Sequence, residues 1–252
     1  HFCIVWLQSV SKLLGYHPDT GFGLIPKKVL MAKASKYTSK TPDENGVIHW
    51  SDEENKIWSE LVARQLACIE GKACNEYMEG LKKINLPHDR IPQLSELNEV
   101  LLATTGWQVA PVPALIDFDE FFRLLANKQF PVATFIRSRD EFDYLQEPDV
   151  FHEIFGLMQT DNGLRIYGGG ILSSPGETQY VYSSTPEITP MSVLDVLRTP
   201  YRIDIMQPQY YTINSIHDLF DISQMDIMAL VEQAKELGLH DPKFSPKEKL
   251  AS

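Results

Sequence analysis

The stretch EPDVFHEIFGLMQTDNGLRIYGGG, residues 147–170, decides how the rest of the chain is interpreted. It predicts a short apolar helix that carries His152 and Glu153, begins near Pro148, and gives way to a polar turn and three glycines. Asp149 precedes His152 by three residues on nearly the same helix face, so its carboxylate could orient the imidazole, as at metal sites. Local sequence leaves His152 as either a metal ligand or a core histidine, because one histidine makes no metal site.

The bulk composition is that of an ordinary globular protein. The chain has 252 residues, 43% of them hydrophobic and 23% charged, which is enough for one sizeable core. Its formal net charge of −11 argues against nucleic-acid binding, which needs a concentrated basic surface. No run is long enough to span a bilayer, and the three cysteines follow no zinc-binding pattern. We therefore expect a cytoplasmic protein with reduced thiols, no membrane partner and no nucleic-acid partner.

The beginning of the chain is expected to lie outside the folded domain. FCIVWL is apolar, but no basic residues precede it, so it does not predict a signal peptide. The lysine-rich stretch around Met31 is typical of a frayed terminus and offers a natural start. The sequence thus predicts an N-terminal extension at 1–36, one domain at 37–240 and a polar tail at 241–252.

Hydrophobic periodicity and capping pairs predict an α+β domain, mostly helical with small antiparallel strands. Ser51 with Glu54 and Asp117 with Glu120 have capping-box spacing, and Ser95 is the expected cap of another helix. The predicted helices lie at 51–71, 72–85, 94–106, from 117 through 125, from 148 into HEIFG, and from 227 to Gly238. The predicted strands are FPVATFI, LRIYG, TQYVYS, RIDIM and YYTI, with a type II turn at Pro175-Gly176 between the second and third.

Two further places could carry chemistry on local grounds. Arg137 ends an apolar strand, where a guanidinium can clamp a carboxylate, although a surface ion pair with a neighbouring acid is equally compatible with the sequence. The glycines at 168–170 permit close backbone approach to a ligand and are followed by Ser173 and Glu177, although a flexible turn fits as well. A phosphate-binding loop is disfavoured, because no Lys-Ser/Thr pair follows the glycines.

Five blocks carry a resemblance to a known family. In chain order they are RIPQLSELNEVLLATTGW, PVPALIDFDEFF, FIRSRDEFDYLQEPDVFHE, GLRIYGGGILSSPGETQY and QPQYY. From about Tyr37 to near the C-terminus, the chain resembles the catalytic domain of the pterin-dependent aromatic amino acid hydroxylases, especially the bacterial members that act on phenylalanine. Several separate blocks in the right order are far more specific than one short motif.

The resemblance implies hydroxylation of L-phenylalanine to L-tyrosine by O2, with non-haem Fe(II) and tetrahydrobiopterin as cofactors. In this family two histidines and one carboxylate hold the iron. His152 matches the first iron ligand, and Glu153 matches the acid that faces the pterin. Arg137 matches the arginine that holds the substrate carboxylate. Ser173 and Glu177 match positions near the substrate and the iron.

The same resemblance implies a pterin-binding segment and a small-molecule enzyme without macromolecular partners. Two of the pterin-segment residues, Ala114 and Phe118, are not those expected in an animal enzyme. No heptad-bearing C-terminal helix is visible, so a monomer or homodimer is expected. The residues that fall on the pterin segment are Ala114, Leu115, Ile116, Phe118 and Phe121.

The chain departs from the family between Gly156 and Leu157. The family pattern is His-Glu-x-x-Gly-His, but here HEIFG runs directly into LMQTDNG. The second histidine, the carboxylate ligand and a long helical stretch are therefore missing. Three explanations are open: a true deletion, a gene model that skipped the segment, and a disordered segment left out of the sequence. Asp161 or Glu177 could approach a metal in their place.

The missing ligands leave a rival to the enzyme hypothesis. A catalytically inactive remnant would keep the fold and retain pterin or amino-acid binding. It would also expose apolar surface that the missing helical turns should cover. A hydrolytic metalloenzyme is a third and weaker option, because no His-Glu-x-x-His motif is present.

Overall fold

The fold is described from a computed structural model, for residues 38–113, 116, 118–136, 138, 154–200 and 205–245. His152, Glu153, Arg137, Ala114 and Leu115 lie outside these described residues. In chain order the elements are α1 (Asp52–Ile69), α2 (Asn75–Ile84), α3 (Leu94–Thr105), β1 (Gln108–Val112), α4 (Phe118–Ala126), β2 (Gln129–Ala133), β3 (Phe155–Thr160), β4 (Gly163–Ile166), α5 (Gly169–Ser173), α6 (Pro175–Tyr180), β5 (Glu187–Pro190), α7 (Val193–Arg198), β6 (Gln209–Ile213), α8 (His217–Ser223) and α9 (Ile227–Leu237).

The chain divides into two compact units. Of the described residues, the first unit comprises 68–74, 154–200 and 205–245, and the second comprises 38–67, 75–113, 116, 118–136 and 138. The described part of the first unit holds the strands β3 to β6, and that of the second holds β1 and β2.

Capping explains where the helices of the second unit begin and end. The predicted box at the start of α1 is confirmed: the Glu54 N–H donates to Ser51 Oγ at 3.2 Å, and the Ser51 N–H donates to the Glu54 carboxylate at 2.8 Å. The prediction that Ser95 caps this helix is wrong, because α3 already begins at Leu94 and its N-cap is Gln93. Its end at Gly106 is confirmed, with a left-handed φ of 70°.

The first unit is built on a four-stranded sheet in the order β4-β3-β6-β5. Only β3 and β4 form an antiparallel pair, whereas β6 runs parallel to both β3 and β5. In the second unit β1 and β2 are also parallel. The predicted antiparallel pairing is therefore wrong for these three pairs. Parallel partners are separated by long connections, so local sequence carries no turn that announces them.

Two local predictions in the first unit are wrong. The helix expected to run through HEIFG does not include Phe155 and Gly156, which belong to β3. The predicted strand TQYVYS is wrong: its first three residues belong to helix α6 and its last three to the turn that follows. Pro175 occupies the first turn of that helix rather than a type II turn. Ser174 decides the outcome, because its hydroxyl caps α6 and Pro175 suits a first helical turn.

The remaining predictions in this unit have a clear outcome. LRIYG and YYTI are confirmed as the strands β4 and β6. The last helix is confirmed as α9, with Asp226 as its N-cap and Gly238 directly after its end. RIDIM falls mostly on 201–204, outside the described residues.

Candidate functional site

The centre of the candidate site is Glu177, a carboxyl group with 0% exposure. It lies in the first turn of α6, where its backbone N–H donates to the Ser174 hydroxyl at 3.2 Å. Its carboxylate accepts a hydrogen bond of 2.8 Å from the hydroxyl of Tyr210 on β6. A buried carboxyl group is costly without such partners, so helix and strand together fix its position.

Tyr210 is as deeply buried as the carboxyl group that it holds. Its exposure is 0%, and its ring centroid lies 6.3 Å from that of Tyr180. Burial, followed by the nearby Glu177 carboxylate, raises the pKa of Tyr210 far above its ordinary value. The phenol therefore keeps its proton at physiological pH and acts as a hydrogen-bond donor to Glu177. This arrangement can orient a carboxylate and keep water from it.

Tyr210 was not predicted to be a site residue, although it lies in the QPQYY block and in the predicted strand YYTI. Neighbouring residues of a strand point to opposite faces, so one of two adjacent tyrosines must face inward toward Glu177. The other, Tyr211, hydrogen-bonds the hydroxyl of Thr199 at 2.7 Å. Strand alternation is the pattern that could have identified Tyr210.

The opposite face of β6 borders a cleft of about 470 Å³. Tyr211 and Thr199 line it, together with a side-chain contact in which His240 Nε2 lies 3.1 Å from Asp195 Oδ1. His240 lies three residues after the end of α9. Beyond it, the Lys243 ammonium donates a hydrogen bond to the Glu187 carboxylate. The sequence predicted neither this cleft nor these contacts, because both depend on residues far apart in the chain.

The glycine run does not form an open turn. Gly169 begins the short helix α5, and the N–H groups of Tyr167 and Gly168 donate to the Gly156 carbonyl at 2.7 and 2.9 Å. Ser173 ends this helix, is exposed, and donates to the Gly170 carbonyl at 2.6 Å. Ser173 and Glu177 thus lie four residues apart on consecutive helices, with Ser173 at the surface and Glu177 in the core.

Three of the expected pterin-segment residues are described, all in the second unit. Ile116 is half-buried, and Phe118 begins α4. Phe121 is half-buried and packs edge to face against Phe122, with ring centroids 5.6 Å apart. All three are apolar residues of one segment of the sequence, the apolar stretch 116–121, and apolar side chains can pack against a flat ring.

The donor set of the described residues does not fit a mononuclear iron. No three His, Cys, Asp or Glu side chains in this part of the chain are grouped so that they could hold a metal ion. His49 is paired with Asp43, and His217 with Asp221. Of the two proposed substitutes, Asp161 is exposed in the turn between β3 and β4, whereas Glu177 is buried against Tyr210.

Among the described helices, none is long and apolar enough to cross a membrane.

This chain aligns with most of the length of two similar proteins. It is 48% identical over 259 positions to the phenylalanine-4-hydroxylase of Pseudomonas aeruginosa, covering 86% of this chain and 99% of the relative. The phenylalanine-4-hydroxylase of Vibrio cholerae is 48% identical over 258 positions, covering 85% of this chain and 89% of the relative.

Solved structures show the same likeness in three dimensions. The apo structure of the cold-active phenylalanine hydroxylase of Colwellia psychrerythraea 34H has a TM-score of 0.77 at 53% identity, covering 82% of this chain and 97% of that one. The Chromobacterium violaceum phenylalanine hydroxylase with bound iron(III) and 7,8-dihydrobiopterin has a TM-score of 0.70 at 32% identity, covering 83% and 91%.

A family model agrees with these relatives. Residues 17–159 and 154–231 match the model described as biopterin-dependent aromatic amino acid hydroxylase. Together the two segments include both the apolar stretch of the second unit and the Glu177–Tyr210 pair of the first. This protein belongs to the biopterin-dependent aromatic amino acid hydroxylases.

Proposed function

We propose that this protein is a phenylalanine 4-monooxygenase, which converts L-phenylalanine and O2 to L-tyrosine with non-haem Fe(II) and tetrahydrobiopterin. The observation that carries the proposal is the 48% identity to a phenylalanine-4-hydroxylase over 99% of that relative's length. In this chemistry the iron and the reduced pterin supply the activation of O2, and the protein supplies positioning and exclusion of water.

Within this proposal, the residues of the chain bind and orient the small molecules. The Arg137 guanidinium holds the carboxylate of phenylalanine, and Ser173 lies on the substrate side. The segment from Ala114 to Phe121 packs the pterin ring, next to which Glu153 provides an acid. The Tyr210 hydroxyl holds the carboxyl group of Glu177 at one place in the core of the first unit.

A second candidate is a family member that has lost hydroxylation and retains pterin or amino-acid binding. Two observations favour it: the family's second histidine and carboxylate are missing after Gly156, and the described residues contain no group of three metal donors. Both candidates require only small-molecule partners. We propose a cytoplasmic protein that acts as a monomer or homodimer.

Tyrosine formation by the purified 252-residue protein separates the two candidates. The protein is given Fe(II), reduced pterin, O2 and phenylalanine, and tyrosine is quantified by chromatography. His152→Ala removes the matched iron ligand, and His49→Ala serves as the control, since His49 is 79% exposed and paired with Asp43 in the second unit. The hydroxylase proposal expects turnover that disappears in His152→Ala and persists in His49→Ala.

Absence of turnover from a folded protein would favour the second candidate. Calorimetric titration with reduced pterin and with phenylalanine then tests what remains of binding. Binding of either molecule supports the inactive member, and binding of neither contradicts both candidates.

A further inference from the structure

The alignments with the similar proteins are longer than the part of this chain that they cover. For Pseudomonas aeruginosa, 86% of 252 residues is about 217, so about 42 of the 259 aligned positions have no counterpart here. The same comparison leaves about 44 of 258 positions for Vibrio cholerae and about 45 of 229 for Chromobacterium violaceum. Three relatives of different similarity thus give nearly the same deficit, as expected for one missing segment rather than scattered gaps.

The position of the missing segment follows from the family model. Its two matches, 17–159 and 154–231, overlap at residues 154–159. One short stretch therefore serves both as the end of the first match and as the start of the second. This stretch contains the Gly156–Leu157 junction and is shifted by one residue from β3, which runs from Phe155 to Thr160.

The residues on both sides of the Gly156–Leu157 junction pair with strand β6. Phe155, before it, pairs with Tyr211 of β6, and Leu157, after it, pairs with the next residue, Thr212. Gly156 lies between these two pairs and forms a β-bulge, with a φ of 127°. Both sides of the junction thus lie in one strand of the sheet, so the shortened chain forms an uninterrupted β3.

The same shortening leaves the metal site incomplete. By resemblance the family uses two histidines and one carboxylate, and only His152 has a counterpart in this chain. Among the described residues, no three His, Cys, Asp or Glu side chains are grouped so that they could hold a metal ion. Because affinity for a divalent metal rises with each added ligand in suitable geometry, one imidazole cannot hold iron in place.

We infer that this 252-residue chain folds without a stable iron centre, and that a segment of about 42–45 residues between Gly156 and Leu157 is what the iron centre requires. The inference rests on the proposed function, since iron belongs to that chemistry. For the 252-residue chain itself it favours the second of the two candidates, because it makes hydroxylation depend on a segment that this chain does not contain.

Iron content tests the inference without using activity. Three proteins are loaded with Fe(II) without oxygen, desalted and analysed for metal: the 252-residue chain, a variant with the matching Pseudomonas aeruginosa segment inserted after Gly156, and a variant with a glycine-serine insert of equal length. We expect close to one iron per chain for the segment variant and less than a tenth for the other two.

The outcomes separate this inference from the proposed function. Iron retained by the 252-residue chain and lost in His152→Ala overturns the inference, as does equal iron in both insertion variants. Should the segment variant not fold, the reciprocal deletion in the Pseudomonas aeruginosa enzyme decides: loss of iron from a folded protein supports the inference, and retention overturns it. A segment variant that binds iron but forms no tyrosine supports the inference and contradicts the proposed function.

Discussion

Tyr210 holds a fully buried carboxyl group with one hydroxyl, and removing that hydroxyl should be costly. Tyr210→Phe would leave Glu177 without this 2.8 Å hydrogen bond at 0% exposure. Because leaving a buried polar group without its hydrogen-bond partner costs about 1–3 kcal/mol, we expect the free energy of unfolding to fall by that amount. Denaturant titration followed by circular dichroism measures it.

Tyr211→Phe is the matched control for this substitution. It removes a hydroxyl from the adjacent residue, but the bond is to the neutral Thr199 hydroxyl and is only partly buried. A loss of about 1 kcal/mol is expected there. Equal losses of unfolding free energy in the two variants would contradict the expectation that the Tyr210–Glu177 hydrogen bond contributes more than the Tyr211–Thr199 one.

Glu96 gives a prediction for the pH dependence of stability. Its pKa is lowered to about 2, first by the hydrogen bond from the Arg90 side chain and then by the Gln93 backbone N–H. A carboxyl group whose pKa is lower in the folded than in the unfolded state stabilises the fold above the unfolded value, here 4.5. That contribution is lost as the pH falls toward 2, and it is no more than about 1 kcal/mol, because the pair is exposed.

Glu96→Gln removes this contribution and tests the sign. The variant should be less stable than the parent at neutral pH, and the difference should shrink as the pH is lowered from 5 toward 2. Urea unfolding at several pH values measures both curves, and Glu99→Gln on the same helix controls for the loss of one negative charge. A difference that grows in acid would contradict the prediction.

At the scale of the element, the bulge in β3 needs its glycine. Gly156 has a φ of 127°, a region that residues with a side chain rarely adopt. Gly156→Ala should lower the free energy of unfolding by about 1–3 kcal/mol. Gly169→Ala is the control, because Gly169 lies at the start of α5 with nothing within 4 Å of an added Cβ. Thermal unfolding compares the two, and equal midpoints would argue against a strained bulge.

Helices with strong end signals were predictable from the sequence, and short ones were not. α1 and α9 run for 18 and 11 residues between recognisable caps and stops, so periodicity and capping agree. α6 has six residues, too few for a helical period to show, and its aromatic and β-branched residues favour a strand. Only the Ser174 cap and Pro175 mark it as a helix, and the same pair also suits a turn.

At the scale of the whole molecule, the sequence predicted the family and the mixed fold but not the sheet order. Parallel pairing joins β6 to β3 and β5 across long connections, and no local pattern encodes those partners. The local pattern marked Glu177 as a carboxyl group beside the glycine run, and the family resemblance matched it to a position near the substrate and the iron. Its partner Tyr210 depends on a contact between residues 33 apart in sequence, which no local pattern encodes.

The sheet order also has a consequence for synthesis on the ribosome. β6 occupies an inner position of the order β4-β3-β6-β5, yet it is the last of these strands to be made. About 48 residues separate the end of β3 from the start of β6, so at roughly 5–20 residues per second the β3–β4 hairpin waits about 2–10 s for its neighbour. During that interval one long edge of β3 offers unpaired backbone groups to any other nascent chain. We therefore expect slow translation of residues 161–208 to lower the yield of folded protein in a cell, because it prolongs the exposure of that edge.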